Sequence, residues 1–108
     1  MAKFEKSLSG NFDQILNKIE QGICHGSATA TLEESSDFRS GDARCSVRAF
    51  ERYSYLGGNR VSLTVTLFQN GNEPIRLSAI ATGGSQAMFL KINTFGEDAF
   101  LDKLKELL

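Results

Sequence analysis

The chain has 108 residues, and its 12 Lys and Arg against 13 Asp and Glu leave a formal net charge of −1. This length predicts a single domain over residues 1–108, large enough to fold on its own core without a metal or a disulfide. The near-neutral charge excludes a bulk attraction to nucleic acid. No apolar run approaches the roughly 20 residues that a membrane helix needs, and the first residues carry no signal-peptide pattern.

The two cysteines, Cys24 and Cys45, form no CxxC motif. This usage is typical of a protein in a reducing compartment, where free cysteine behaves as a small apolar residue. We therefore expect a cytoplasmic protein that does not contact the membrane.

The first predicted element is a helix that follows a short segment over residues 3–6. Asn11 is placed to cap this helix, and the apolar residues behind it recur at helical spacing. These are Phe12, Ile15, Leu16 and Ile19. Residues 27–33 then alternate like a strand, and the polar residues 33–42 predict a loop.

Three longer segments with period-two alternation predict the centre of a sheet. The first covers residues 43–55, and the other two carry alternating apolar residues over 61–67 and 75–81. Gly57-Gly58-Asn59 and Asn70-Gly71-Asn72 are predicted to be three-residue loops, because an odd number of loop residues keeps the apolar side chains of successive strands on one face. A further strand is expected over residues 88–92, and a helix over residues 94–108.

This order of elements predicts an α+β fold, since the strands are grouped and not alternated with helices. We expect an antiparallel meander of about five strands, with an N-terminal and a C-terminal helix packed on its apolar face. If the last turn of the C-terminal helix overhangs the sheet, Leu107 and Leu108 are exposed and can dimerise.

The strand alternation also predicts an arginine-rich face on the other side of the sheet. Five of the six arginines fall on even-numbered positions of the three central strands, and even positions share one face of a strand. The candidate binding or interface residues on this face are Arg44, Arg48, Phe50, Arg52, Phe68 and Arg76, with Arg60 beside them.

Several interpretations of this face stay open. Its arginines can simply pair with acids of the neighbouring loop, and such surface pairs stabilise little. It can be a homodimer interface, where aromatic residues and arginine are both enriched. It can also bind an anionic ligand or a protein partner; single-stranded nucleic acid would use the same groups, but the overall charge does not favour it.

A second candidate site is centred on Glu51, which the alternation points inward with Tyr53 and Tyr55 on the same face. A carboxylate placed there would have its pKa raised by desolvation, and a tyrosine hydroxyl could hydrogen-bond it. The three residues would then line a small pocket between the sheet and the helices. The alternative is that this end of the strand runs beyond the helices and leaves Glu51 partly hydrated.

Two further motifs are weaker. Cys24, His25 and Cys45 include the only histidine of the chain, and adjacent residues at a helix end splay apart, so neither catalysis nor a metal site is expected. The Gly83-Gly84-Ser85-Gln86 segment precedes a strand and not a helix, which favours a bulge or a tight turn over a phosphate-binding loop.

The stretches GNFDQILNKIEQGI, FERYSYLGGNRVSLTVTLFQ and FLKINTFGEDAFLDKL resemble a family of small bacterial proteins known only as a domain of unknown function. The likeness covers nearly the whole chain. It implies a stand-alone cytoplasmic bacterial domain with no assigned activity, and it transfers no catalytic residue.

The sequence lacks a recognisable set of nucleophile, base and orienting group. We therefore expect a binding module without enzymatic activity or cofactor, and specifically a homo-oligomer that associates through or near the arginine and phenylalanine face. The alternative function is small-molecule binding in the pocket near Glu51, Tyr53 and Tyr55.

Overall fold

The computed structural model describes residues 2–26, 30–53, 60–83, 104–105 and 107–108. Within these residues the chain forms five strands and one helix. In chain order they are β1 (Ala2–Leu8), α1 (Phe12–Gly26), β2 (Thr31–Ser40), β3 (Ala43–Tyr53), β4 (Arg60–Asn70) and β5 (Ile75–Gly83).

The five strands form one open antiparallel sheet in the order β1-β5-β4-β3-β2. Strands β2 to β5 are a meander, and β1 pairs with β5 at the far edge. The predicted α+β class and the five-stranded antiparallel sheet are confirmed. The fifth strand is β1, however, whereas the strand predicted over residues 88–92 lies outside the described residues.

Helix α1 forms where its apolar spacing predicted it. The side chain of Asn11 accepts a hydrogen bond from the backbone N–H of Gln14 at 2.9 Å, which satisfies one of the free donors of the first turn. Phe12, Leu16 and Ile19 are buried against the sheet. The C-terminal helix predicted over residues 94–108 falls mostly outside the described residues and is not confirmed, although Leu104 is fully buried in the same core.

The core is the layer between α1 and one face of the sheet. Strands β4 and β5 present their odd-numbered residues to this layer, as the alternation predicted. The buried residues are Val61, Leu63, Val65, Leu67, Ile75, Leu77, Ala79 and Ala81.

Strand β3 presents to the core the residues that were predicted to face away from it. Tyr53 pairs with Arg60, so residues 54–59 separate the two strands. Six residues are an even number, and the predicted three-residue loop Gly57-Gly58-Asn59 is therefore wrong. Because side chains alternate strictly along a strand, this change exchanges the two faces of β3. The buried residues of β3 are Ser46, Arg48, Phe50 and Arg52.

Strand β2 replaces most of the predicted polar loop over residues 33–42. It joins β3 through a two-residue turn at Gly41 and Asp42, where Gly41 has φ +57°, a conformation that favours glycine. All ten residues of β2 are exposed. The strand has no buried apolar alternation, which explains why the sequence pattern indicated a loop.

The connection between β4 and β5 keeps the predicted face parity but shifts the pairing. Phe68 pairs with Arg76, whereas the predicted three-residue loop paired Thr66 with Arg76. The backbone N–H of Glu73 donates to the carbonyl of Asn70 at 3.1 Å and closes the turn. A shift of two residues leaves every side chain on its face.

Candidate functional site

The candidate site is the face of the sheet opposite α1, called the open face below. Residues paired across antiparallel strands point to the same side of a sheet. The register therefore places four residues from four neighbouring strands in one row across the open face. This aromatic row consists of Phe38, Cys45, Phe68 and Arg76.

Large apolar side chains are exposed on the open face. Phe38 is 61% exposed, Tyr53 53%, Phe68 40% and Ile80 39%. Single exposed apolar residues are common on monomeric proteins, but several on one sheet face indicate a surface that contacts something else. One further exposed apolar residue, Leu32, pairs with Phe50 and so belongs to the side that carries α1.

The centre of the open face is built from small hydroxyl residues. They are half-buried because their cross-strand neighbours cover them. They are Ser62, Thr64, Thr66, Ser78 and Thr82. Small and β-branched residues give this part of the sheet a low relief, on which the aromatic side chains stand out.

Charges of both signs flank the open face. The cations are Lys3, Arg60 and Arg76, and the carboxylates are Glu5, Glu34 and Glu51. Two of these cations are paired on the face. Arg60 lies 3.3 Å from the Glu51 carboxylate, and Lys3 lies 3.9 Å from that of Glu5. Arg76 makes no hydrogen bond or ion pair with any residue in the described ranges.

The predicted single arginine face is wrong, because the exchanged faces of β3 divide it. Arg44, Arg48 and Arg52 lie on the side of α1 together with Phe50, which is fully buried. Arg60, Phe68 and Arg76 lie on the open face, as expected. The arginines of β3 therefore lie on the α1 side of the sheet and are not part of a common binding surface on the open face.

Arg48 is the centre of a hydrogen-bond network that links α1 to β2 and β3. It is 7% exposed, and its Nε donates to Glu20 Oε1 at 3.2 Å while its Nη1 donates to Asp37 Oδ1 at 3.1 Å. Ser46 Oγ donates to the same Asp37 oxygen at 2.6 Å. The Ser46 hydroxyl and then the Arg48 guanidinium hold the pKa of Asp37 below its ordinary value.

Arg44 contacts the first turn of α1. Its guanidinium carbon lies 3.9 Å from the centre of the Phe12 ring, and its Nη2 lies 2.9 Å from Asp13 Oδ1. The hydrogen bond from Arg44, followed by its charge, lowers the pKa of Asp13. These contacts fix the start of the helix over β3.

The second predicted site is not assembled as expected. Glu51 and Tyr53 point to the open face, away from α1, because they follow the same exchanged parity. Glu51 forms the ion pair with Arg60, and the Arg60 guanidinium lies 5.5 Å from the centre of the Tyr53 ring. Tyr55 lies outside the described residues. The expected pocket between sheet and helices at Glu51 and Tyr53 is therefore wrong.

The weaker motifs do not converge either. Cys24 packs against the core from α1, His25 is exposed at the helix end, and Cys45 lies on the open face. Across the described ranges no group of three or more His, Cys, Asp or Glu is arranged to hold a metal ion. Gly83 has φ +125°, and a Cβ there would lie 2.6 Å from the carbonyl oxygen of Arg60, as a tight approach requires. The other residues of that motif, 84–86, are outside the described part.

Sequence reasoning missed Phe38, the most exposed apolar residue of the open face. It stands alone in the polar segment that indicated a loop, so no alternation assigned it to a face. The signal that could have found it is Gly41-Asp42, a dipeptide suited to a two-residue hairpin turn. Extending β2 back from that turn places Phe38 opposite Cys45.

The fold and this surface define a small α+β protein with an open antiparallel sheet. A family model described as a family of unknown function, DUF6054, matches residues 1–108, and the chain belongs to this family. The resemblance noted from the sequence is thus confirmed as membership of a family of unknown function. Neither the curated proteins nor the solved structures contain a match to the chain. No helix in the described ranges is both long and apolar enough to cross a membrane.

Proposed function

We propose that this protein is a non-enzymatic interaction module that self-associates through the open face. The observation that carries the proposal is the exposure of Phe38, Phe68 and Ile80 on one side of a sheet whose other side is a packed core. Exposed aromatic side chains are the residues from which interfaces gain most binding energy. A second copy of the same chain is the proposed occupant of the surface.

The size of the open face supports a dimer. Five strands about 4.8 Å apart, paired over about eight residues of about 3.4 Å each, cover ~650 Å². A standard protein interface buries about 800 Å² on each partner. Because side chains add relief to a flat footprint, two open faces in contact approach this standard size.

The charge of the open face also supports a second copy as the partner. Three cations and three carboxylates flank the face, so a copy of the chain meets it without net repulsion. A nucleic acid would require a surface dominated by cations. The balanced charges and the aromatic row instead resemble the composition of protein interfaces.

Analytical ultracentrifugation of the wild type and the Phe38→Asp variant tests the proposal. We expect a monomer–dimer equilibrium whose dissociation constant rises at least ~30-fold in the variant, because losing a buried aromatic contact costs about 2 kcal/mol or more. Phe38 is mostly exposed in the monomer, so the change leaves the monomer folded.

Leu32→Asp is the matched control, since Leu32 lies on the same strand but on the side of α1. This variant is expected to dimerise like the wild type, and circular dichroism checks that both variants are folded. Equal loss of association in the two variants would contradict an interface on the open face. A wild type that is monomeric at every concentration would overturn the proposal.

The proposed setting is a reducing bacterial cytoplasm, supported by two free cysteines that lie on different faces of the fold.

We also propose that residues 94–108 complete the helix layer, an expectation supported by the burial of Leu104 in the core beside α1. Glu51 and Tyr53 face away from the helix layer, which argues against small-molecule binding between the sheet and the helices at these residues.

A further inference from the structure

A groove of about 440 Å³ crosses the open face where β1, β5 and β4 lie side by side. Its volume falls within the range of small-molecule sites, roughly 300–1,000 Å³. The groove is formed within a single chain, so no second copy is needed to build it. Phe68 and Arg76 stand at its wall, and Ser7, Ser78 and Thr66 contribute hydroxyl groups to it.

Arg76 distinguishes this groove from the rest of the surface. Arg44, Arg48 and Arg60 each pair with a carboxylate of the chain. Arg76 is exposed and makes no hydrogen bond or ion pair within the described part of the chain. Its five N–H donors, arranged in a planar fork, are thus available to a planar carboxylate.

The neighbours of Arg76 suit the rest of such a ligand. The register sets Arg76 between Phe68 on β4 and Ser7 on β1, and sets Ser78 between Thr66 and Glu5 in the next row. Cross-strand neighbours lie about 5 Å apart, so the guanidinium, the hydroxyls and the phenyl ring are within reach of one small molecule. The ring offers an apolar surface for the body of the ligand.

The charges of the lining set the charge of the ligand. Lys6 pairs with Leu77 and so lies on the α1 side, where its Nζ donates to the carbonyl of Leu108 at 3.4 Å. Glu5 forms the ion pair with Lys3, so the unpaired charge of the groove is that of Arg76, about +1. A singly charged anion balances this charge. A polyphosphate or another multiply charged anion would be repelled by Glu5.

We propose that this groove binds a small organic monocarboxylate with an aromatic or apolar body. The carboxylate accepts hydrogen bonds from Arg76 and the neighbouring hydroxyls, and the apolar body packs on Phe68. The inference goes beyond self-association and does not require it, but the groove shares Phe68 with the proposed interface, so a ligand and a second copy compete for this part of the open face.

The test is an NMR titration of the protein with benzoate, following backbone amide shifts. We expect saturable shifts at Ser7, Thr66 and Ser78, and at least a ten-fold weaker affinity in Arg76→Gln. Arg60→Gln is the matched control, because Arg60 is the other arginine of the open face and does not line the groove. It is expected to bind benzoate like the wild type. The uncharged analogue benzamide is expected to bind more weakly than benzoate.

The titration is repeated in Phe38→Asp, which separates this inference from the proposed dimer. Saturable binding in either protein that is lost in Arg76→Gln supports the groove as a carboxylate site. Absence of saturable shifts in both proteins, or equal affinity in the Arg76 and Arg60 variants, overturns it. Ultracentrifugation of the same two proteins without benzoate reports on self-association.

Discussion

Arg48 is a buried cation whose charge is matched by carboxylates from two other elements. Glu20 reaches it from α1 and Asp37 from β2, and the carbonyl of Val47 accepts a third hydrogen bond at 3.0 Å. A buried charge is tolerated only when it is paired and hydrogen-bonded. This explains how an arginine occupies a position that periodicity would assign to an apolar residue.

Replacing Arg48 by methionine, which fills a similar volume, tests the importance of this network. The change leaves Glu20 and Asp37 without their cation, and we expect the free energy of unfolding to fall by about 1–3 kcal/mol. Arg60→Met is the control, because the exposed pair of Arg60 with Glu51 contributes only about 0–1 kcal/mol. Urea unfolding measures both variants, and equal losses would contradict a buried role for Arg48.

Stability is expected to fall in acid because of Asp37. Its folded pKa lies below the ordinary value of 3.8, owing to the hydrogen bonds from Ser46 and Arg48. A carboxyl with a depressed folded pKa stabilises the protein above its unfolded pKa, and this contribution is lost as the pH falls through the folded pKa. The free energy of unfolding should therefore decrease as the pH drops below about 4.

Two variants identify Asp37 as a source of this pH dependence. Asp37→Asn removes the titrating group, and Ser46→Ala removes the larger cause of the depressed pKa. Both are expected to flatten the fall in unfolding free energy at low pH, as measured by urea unfolding at a series of pH values. A slope identical to that of the wild type in both variants would show that other groups cause it.

At the scale of elements, β3 decides which residues face the core. Val47 and Ala49 look like core positions in the sequence, yet they are only half-buried on the open face, while Phe50 is fully buried. The odd-numbered and the even-numbered residues of this strand both include apolar side chains, so alternation alone does not show which set faces the core. The number of residues in the connection to β4 determines it.

A matched pair of truncations tests the faces of β3. Phe50→Ala removes a fully buried ring and is expected to lower the free energy of unfolding by about 3–5 kcal/mol. Val47→Ala removes two methyl groups from the half-buried open face and is expected to cost less than about 1 kcal/mol. Urea unfolding at a protein concentration that favours the monomer gives both values. A larger loss for Val47→Ala would mean that the register of β3 is wrong.

The sequence predicted those elements whose burial imposes a clear period. The apolar stripe of α1 and the odd-numbered residues of β4 and β5 face a packed core, so they were found. Strand β1 is a short edge strand in which only Ala2, Phe4 and Leu8 pack against the core, and β2 is exposed along its length. In β1 the alternation is interrupted by Lys6, and β2 has no hydrophobic alternation, so the pattern did not mark either strand as part of the sheet.

The candidate site was predictable only where the face parity held. Phe68 and Arg76 were placed correctly on the open face, because β4 and β5 keep their parity. Arg48 and Glu51 lie on the faces opposite to those predicted. The even-numbered connection between β3 and β4 exchanges the two faces of the whole strand β3. A local pattern cannot report the length of a connection whose turn residues allow several registers.

At the scale of the whole molecule, the topology separates a covered face from an open one. Strand β1 pairs with β5 and β2 with β3, so α1 crosses the sheet on one side between its two edges. The aromatic row, the groove at Arg76 and the balanced charges all lie on the other side. The proposed dimer would bury the apolar part of this open face against a second copy.

Isotope-filtered NOE spectroscopy on a mixture of labelled and unlabelled protein tests the open-face dimer most directly. The technique detects contacts only between different copies of the chain. We expect intermolecular contacts from the rings of Phe38 and Phe68, and none from residues of α1. Intermolecular contacts confined to α1, or none at concentrations where the protein sediments as a dimer, would contradict the open face as the interface.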